Sequence, residues 1–182
     1  MYDDRLSLAE NITNVACEAL EEENREIYGI IFKNDQAYKG CHKGILHFNN
    51  ERFYQYLIAK NIAKHLGGFV KTEHEYHDVV LVNHDANLSA VIEIKRWMSA
   101  TGEPELPKIA NDVTKLRSSK VQGEKILLVI SSNPTGSTNE NSRILLEKTA
   151  ISQCKKSIKA FPAINGNNEI IDIWVMCIRV DE

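Results

Sequence analysis

His77-Asp78-Val79-Val80-Leu81-Val82, Asn83-His84-Asp85-Ala86-Asn87 and Leu88-Ser89-Ala90-Val91-Ile92-Glu93-Ile94-Lys95 follow one another as an apolar run, a polar patch and a second apolar run. Two β-branched runs around an Asn/Asp-rich patch predict two strands joined by a turn. If the turn is centred between Asp85 and Ala86, residues whose numbers sum to 171 face each other, and Asp78 stands opposite Glu93. Their Cβ atoms are then roughly 4.5–5.5 Å apart on one face of the hairpin. Strand side chains alternate, so Lys95 joins that face while Val79, Leu81, Ile92 and Ile94 point the other way.

Two carboxylates opposed across a sheet repel, so the arrangement calls for a compensating charge. A hard divalent cation is one, since Mg²⁺ is held by one or two carboxylates together with phosphate and water. Such a cation lowers the pKa of its water and stabilises charge on a transferring phosphate. A lysine beside it can orient or deprotonate the attacking water, or stabilise the developing charge. The plainer alternative is a surface ion pair of Glu93 with Lys95 on an edge strand. The runs on both sides of the tripeptide are too apolar for a solvated edge.

Asp78, a fifteen-residue interval and Glu93-x-Lys95 resemble the signature of the PD-(D/E)XK nuclease superfamily, which includes restriction endonucleases, Holliday-junction resolvases and repair and phage nucleases. His77 stands where that signature usually has proline. The resemblance covers approximately residues 50 to 135. It implies a restriction-endonuclease-like αβββαβ core, a mixed central sheet flanked by helices, and catalysis by Asp78, Glu93 and Lys95. It further implies Mg²⁺ or Mn²⁺ held by Asp78, Glu93 and the backbone carbonyl of Ile94. The superfamily often adds a glutamate from the preceding helix, for which Glu51 is the candidate; an acid in a first turn equally suits the helix dipole.

The neighbouring chain carries the expected elements. Residues 51–66 hold Tyr54, Leu57, Ile58, Ile62 and Leu66 at helical spacing, with Asn50 before them and Gly67-Gly68 after as cap chemistry. Phe69 to Tyr76 reads as a first strand. Ser99 to Pro107 is a loop with Gly102, Pro104 and Pro107. Lys108 to Arg117 predicts a helix with Ile109, Val113 and Leu116 on one face, and Lys125 to Ser131 a strand buried on both faces. The span between Lys95 and that strand is long enough for a parallel crossover. The nuclease core therefore runs from about 49 to 135 in a single domain covering 1–182.

The flanks read as elaborations. Ser7-Leu8-Ala9-Glu10 has capping-box spacing and opens an amphipathic helix over 5–27, with Ile12, Val15, Ala16, Ala19 and Leu20 on its apolar face. Tyr28-Gly29-Ile30-Ile31-Phe32 suggests a strand, and Gly40 to Gly44 a turn. The C-terminal elaboration, 142–180, reads as a helix from Ser142 to Phe161, a turn at 165–168 and a strand from Ile170 to Val180.

Composition restricts the function classes. Hydrophobic residues make up 43% and charged residues 26%, ordinary for a soluble domain. No apolar run approaches the ~18 residues of a membrane span, and the acidic N-terminus carries no signal-peptide core, which predicts a cytoplasmic protein without a membrane partner. Cys17, Cys41, Cys154 and Cys177 are scattered, which suits a reducing compartment and argues against a Cys-based zinc site. His74, His77 and His84 cluster near the hairpin, but His74 and His77 lie an odd number apart, which on one strand sends them to opposite faces. His77 is placed to modulate a pH profile if it borders the site. Gly136-Ser137-Thr138 lacks the Gly-Lys-Ser/Thr ending of a P-loop.

The formal net charge of −3 gives no overall attraction to DNA, so local clusters must supply it. Lys108, Lys115, Arg117 and Lys120 are the candidate phosphate contacts, and Lys155, Lys156 and Lys159 lie on the predicted late helix; charges on a helix are more often a solvated face. The resemblance implies hydrolysis of DNA in restriction, phage defence or repair. A homodimer follows if duplex cleavage takes one hairpin per strand. The alternative is a non-catalytic nucleic-acid-binding or assembly module of the same fold.

Overall fold

The two apolar, β-branched runs form the central pair of antiparallel strands as expected. A computed structural model of the chain describes residues 6–31, 39–74, 76–82, 88–99, 102–136, 138–149, 151 and 154–180. Strand β2 (His77–Val82) runs antiparallel to β3 (Leu88–Trp97) with Val79 opposite Ile92, Val80 opposite Val91 and Leu81 opposite Ala90. Those pairs obey the predicted register, which slips by one residue only between Leu81 and Val82. The predicted turn, 83–87, lies outside the described residues.

In chain order the described elements are α1 (Leu8–Ile31), a short 3₁₀ turn (Gly44–His47), α2 (Glu51–Leu66), β1 (Phe69–His74), β2, β3, α3 (Leu106–Ser118), β4 (Glu124–Pro134), α4 (Thr138–Lys148), β5 (Lys156–Ile164) and β6 (Ile170–Arg179). The strands form one mixed sheet in the order β1-β2-β3-β4-β6-β5, in which β3 and β4 are parallel and every other pair antiparallel. Residues 98–123, which include α3, provide the crossover that a parallel pair needs.

Each face of the sheet buries an apolar layer. Val79, Leu81, Ile92, Ile94, Ile126 and Leu128 meet Ile12, Ala16 and Leu20 of α1 and Tyr54, Ile58 and Ile62 of α2. On the other face Val80, Val91, Leu127 and Val129 meet Ile109, Val113 and Leu116 of α3 and Leu145 and Leu146 of α4. Asp78, Glu93 and Lys95 belong by alternation to the α3 face. Local signals place the helices that frame this pair of layers. Ser7 and Glu10 close a reciprocal capping box at 2.6–3.3 Å, and the Asn50 side chain accepts from the Phe53 amide at 3.1 Å.

Four expectations need correction. Tyr28 to Ile31 continues α1 rather than forming a strand, because the helical ladder begun at Leu8 outweighs the β preference of a few residues. The late helix ends at Lys148, and Lys156–Ile164, including Lys156 and Lys159, is a strand paired along its length with β6. Pro162 would break a helix there but is tolerated in an edge strand, where a missing amide leaves no ladder bond unmade. Pro107 belongs to the first turn of α3, the position where proline fits a helix, so the preceding loop is shorter than expected. Finally, the flanks are part of the core: β6 lies between β4 and β5, and Ile12, Ala16 and Leu20 are fully buried.

Candidate functional site

The site grows out of the point where β2 ends beside β3. The paired ladder of β2 on β3 reaches Val79–Ile92, and beyond it the outward amides of β3 require other acceptors. The Asp78 carboxylate accepts the Ile94 amide at 2.7 Å, and Glu51, first residue of α2, accepts the Arg96 amide at 3.1 Å. Two acidic side chains thus continue the hydrogen-bond ladder past the end of β2. Extending the Val79–Ile92 register by one residue sets Asp78 opposite Glu93, as expected.

Lys95 reaches out from the same face. Its ammonium lies 3.1 Å from Glu51 Oε1 and 3.3 Å from Asp112 Oδ2 on α3. The first contact is also a hydrogen bond, whereas no donor is aligned on Asp112 Oδ2, so the second is Coulombic. Burial alone would pull the Lys95 ammonium down, but Asp112 and Glu51 outweigh it and hold the pKa above the ordinary lysine value. Lys95 is therefore a permanent cation across the neutral range. Asp112 is pushed up by burial, partly offset by Lys95.

Glu93 is only 1% exposed. Its Oε1 meets His77 Nδ1 at 2.6 Å and the Lys115 ammonium at 2.7 Å. Burial raises its pKa and the Asp78 charge adds to the rise, while Lys115 and His77 oppose it. The other ring nitrogen of His77 lies 2.9 Å from the Ser119 hydroxyl, which fixes the ring between strand and helix. Lys115 also donates to the backbone carbonyl of Tyr76. An open pocket of about 650 Å³, lined by Glu73, Tyr76, His77 and Asp78, adjoins this cluster.

Of the predicted site residues, Asp78, Glu93, Lys95 and Glu51 come together. Of the predicted phosphate contacts, Lys115 turns into the cluster. Lys108, Arg117 and Lys120 are exposed. Lys155, Lys156 and Lys159 are exposed on and beside β5. His74 and His77 are register partners across the β1–β2 turn, so the parity rule for one strand does not apply to them. The sequence reading missed Asp112 and the anchoring roles of His77 and Lys115. The available signal was spacing: 112, 115 and 119 recur at helical intervals on an element whose apolar face, 109, 113 and 116, is offset from them.

Among the described residues, no three His, Cys, Asp or Glu side chains are gathered to hold a metal ion. The opposed pair Asp78 and Glu93 is a set of two carboxylates, the number Mg²⁺ commonly takes from protein when phosphate and water complete its shell. The donor chemistry, hard oxygen throughout, fits that cation. Among the described residues, no helix is long and apolar enough to cross a membrane. Compared with known protein families, curated proteins and solved structures, the chain matches none.

Proposed function

We propose that the chain is a metal-dependent nuclease hydrolysing phosphodiester bonds in DNA, built on a restriction-endonuclease-like core of α2, β1, β2, β3, α3 and β4. The observation that carries the proposal is the register of β2 on β3, which sets Asp78 against Glu93 with Lys95 on the same face. Asp78 and Glu93, helped by the Ile94 carbonyl and Glu51, are the residues that would hold Mg²⁺ or Mn²⁺. Ile94 suits this role because its amide is already turned to the Asp78 carboxylate, and amide and carbonyl of one residue leave a strand on the same side. When bound, the cation supplies charge neutralisation at phosphate and an acidified water.

The protein's own groups divide the remaining work. Lys95, doubly ion-paired, acts as a fixed cation that orients water and phosphate oxygen; it is too strongly held in its charged form to serve as a base. His77 orients Glu93 through its Nδ1 contact. The open pocket beside Asp78 gives a polymeric substrate access from solvent. A role in restriction, phage defence or repair, and a homodimer acting on two strands, belong to the same proposal.

One observation favours a second reading. Glu93 is buried and its Oε1 is already engaged by His77 and Lys115, as in a structural ion-pair network of a non-catalytic module. Nicking of supercoiled plasmid separates the two. Wild type should nick with Mg²⁺ or Mn²⁺ and lose the activity in both Lys95→Ala and Glu93→Ala. Cleavage that is absent, or that survives both substitutions, would shift the assignment to the binding module.

A further inference from the structure

Lys115 makes two contacts that a surface lysine ordinarily lacks. Its ammonium sits 2.7 Å from Glu93 Oε1 and donates to the carbonyl of Tyr76, a residue that lines the pocket, so a single cation is seated between two oxygens. Its side chain is 34% exposed, whereas Glu93 is 1% exposed. The carboxylate is fixed in the protein, and the cation on it hangs from a flexible stem with a way out to solvent.

We propose that Lys115 is an internal cation held on Glu93 until a divalent cation displaces it, so that α3 gates metal loading. The proposal rests on Asp78 and Glu93 being the metal ligands. A buried carboxylate without a partner is costly, which explains why a cation is held there at all. Mg²⁺ or Mn²⁺ on Glu93 would lie close to an ammonium on the same carboxylate, and like charges at that separation repel in a partly buried site. One of the two must leave. Lys95 is poorly suited to the same part, being held by both Glu51 and Asp112. Lys115 can instead swing into the adjoining pocket, where its ammonium is available to a phosphate oxygen. Metal would then load first and phosphate would meet Lys115 second.

The test is Mn²⁺ binding to the full chain by titration calorimetry, with no nucleic acid present, for wild type, Lys115→Met, Lys115→Arg and the double variant Lys115→Met/Asp78→Ala. Lys115→Met should bind Mn²⁺ about tenfold tighter than wild type, the change that about 1.4 kcal/mol of lost competition produces. Lys115→Arg should remain as weak as wild type, and the double variant should lose binding. The rise in Tm on adding Mn²⁺ should also be larger for Lys115→Met, because the metal then replaces the cation that Glu93 has lost beside His77. If Lys115→Met fails to fold, Lys115→Gln replaces it with the same expectation. Equal or weaker binding by the neutral variant would overturn the proposal while leaving the metal site intact. Absence of binding in wild type and the neutral variant alike would overturn the metal-site assignment, and this proposal with it.

Discussion

Lys95 of β3 and Asp112 of α3 face each other at 3.3 Å, a helix-to-sheet ion pair that neither the strand pattern nor the acid-acid-lysine motif contains. Three residues further along α3, Lys115 meets Glu93. The helix therefore presents an acid to the strand's base and a base to the strand's acid. Asp112 and Lys115 are spaced by three on the helix, and Glu93 and Lys95 by two on the strand, intervals that keep each pair on one side of its own element.

Because Lys95 is the shared partner of Glu51 and Asp112, its removal leaves two carboxylates facing each other. Lys95→Ala should destabilise the protein by about 1–2 kcal/mol, a figure kept below that of a fully buried pair because all three side chains retain some solvent contact. Adding Asp112→Asn should recover part of the loss. Urea unfolding of both singles and the double would show it; strict additivity would mean that the pair is energetically silent.

Tyr76 has φ of +69°, and its side chain stands in solvent with the residue 91% exposed. A non-glycine residue in that region costs about 1–2 kcal/mol, and little ring burial offsets it. Tyr76→Gly should therefore raise stability by about 1 kcal/mol. A loss of stability in urea unfolding would show that the ring makes a contact worth more than the strain.

Gly102 has φ of +75°, and a Cβ placed there would lie 2.5 Å from the indole of Trp97. Trp97 is itself 1% exposed and rests edge-on against Trp174. Gly102→Ala should cost about 2 kcal/mol or more, from backbone strain and displacement of the ring together. Tryptophan fluorescence should shift along with the unfolding midpoint; an unchanged spectrum and midpoint would contradict the contact.

Glu105 ties the end of β3 to the start of α3 through its carboxylate. Its carboxylate accepts from the Met98 and Ser99 amides at 3.1 and 2.9 Å and from the Ser99 hydroxyl at 2.5 Å. Burial pushes its pKa up, but these bonds outweigh it and leave the group below the ordinary glutamate value. A folded-state pKa below the unfolded one gives stability that is present above about pH 4.5 and lost as pH falls through the folded value. Glu105→Gln should flatten that acid limb in urea unfolding between pH 7 and pH 3. An acid limb identical to wild type would assign the sensitivity elsewhere.

The hairpin was legible because two apolar, β-branched runs flank a polar Asn/Asp patch, and centring the turn on that patch sets the register. Its single slip, between Leu81 and Val82, lies away from the paired acids and leaves their placement untouched. Asp112 carried a spacing signal only, since periodicity marks the apolar face of a helix and leaves open which polar residue beside it meets a neighbour. The late helix was overextended for a related reason. Ile144, Leu145, Lys148, Ile151 and Ile158 keep helical spacing across a break that only the pairing of β5 with β6 reveals. Tyr28 to Ile31 shows the converse, a β-prone local sequence carried along by the helix that precedes it. Long-range partners decided the first two, and those are what a window of neighbouring residues omits; the third was decided by propagation of the helix begun at Leu8.

The sheet order β1-β2-β3-β4-β6-β5 also bears on how the protein is made. The strands and helices bearing the proposed site are all contained in residues 51–119, yet β4, which backs β3, gains its second neighbour only from residues 170–179. On the ribosome, the β2–β3 pair would emerge early while β4 waits with one open edge. Translation must run through Arg179 before that edge is covered, so pausing or truncation between β4 and β6 would leave the edge of a central strand unpaired at the moment the residues of the proposed site are already assembled.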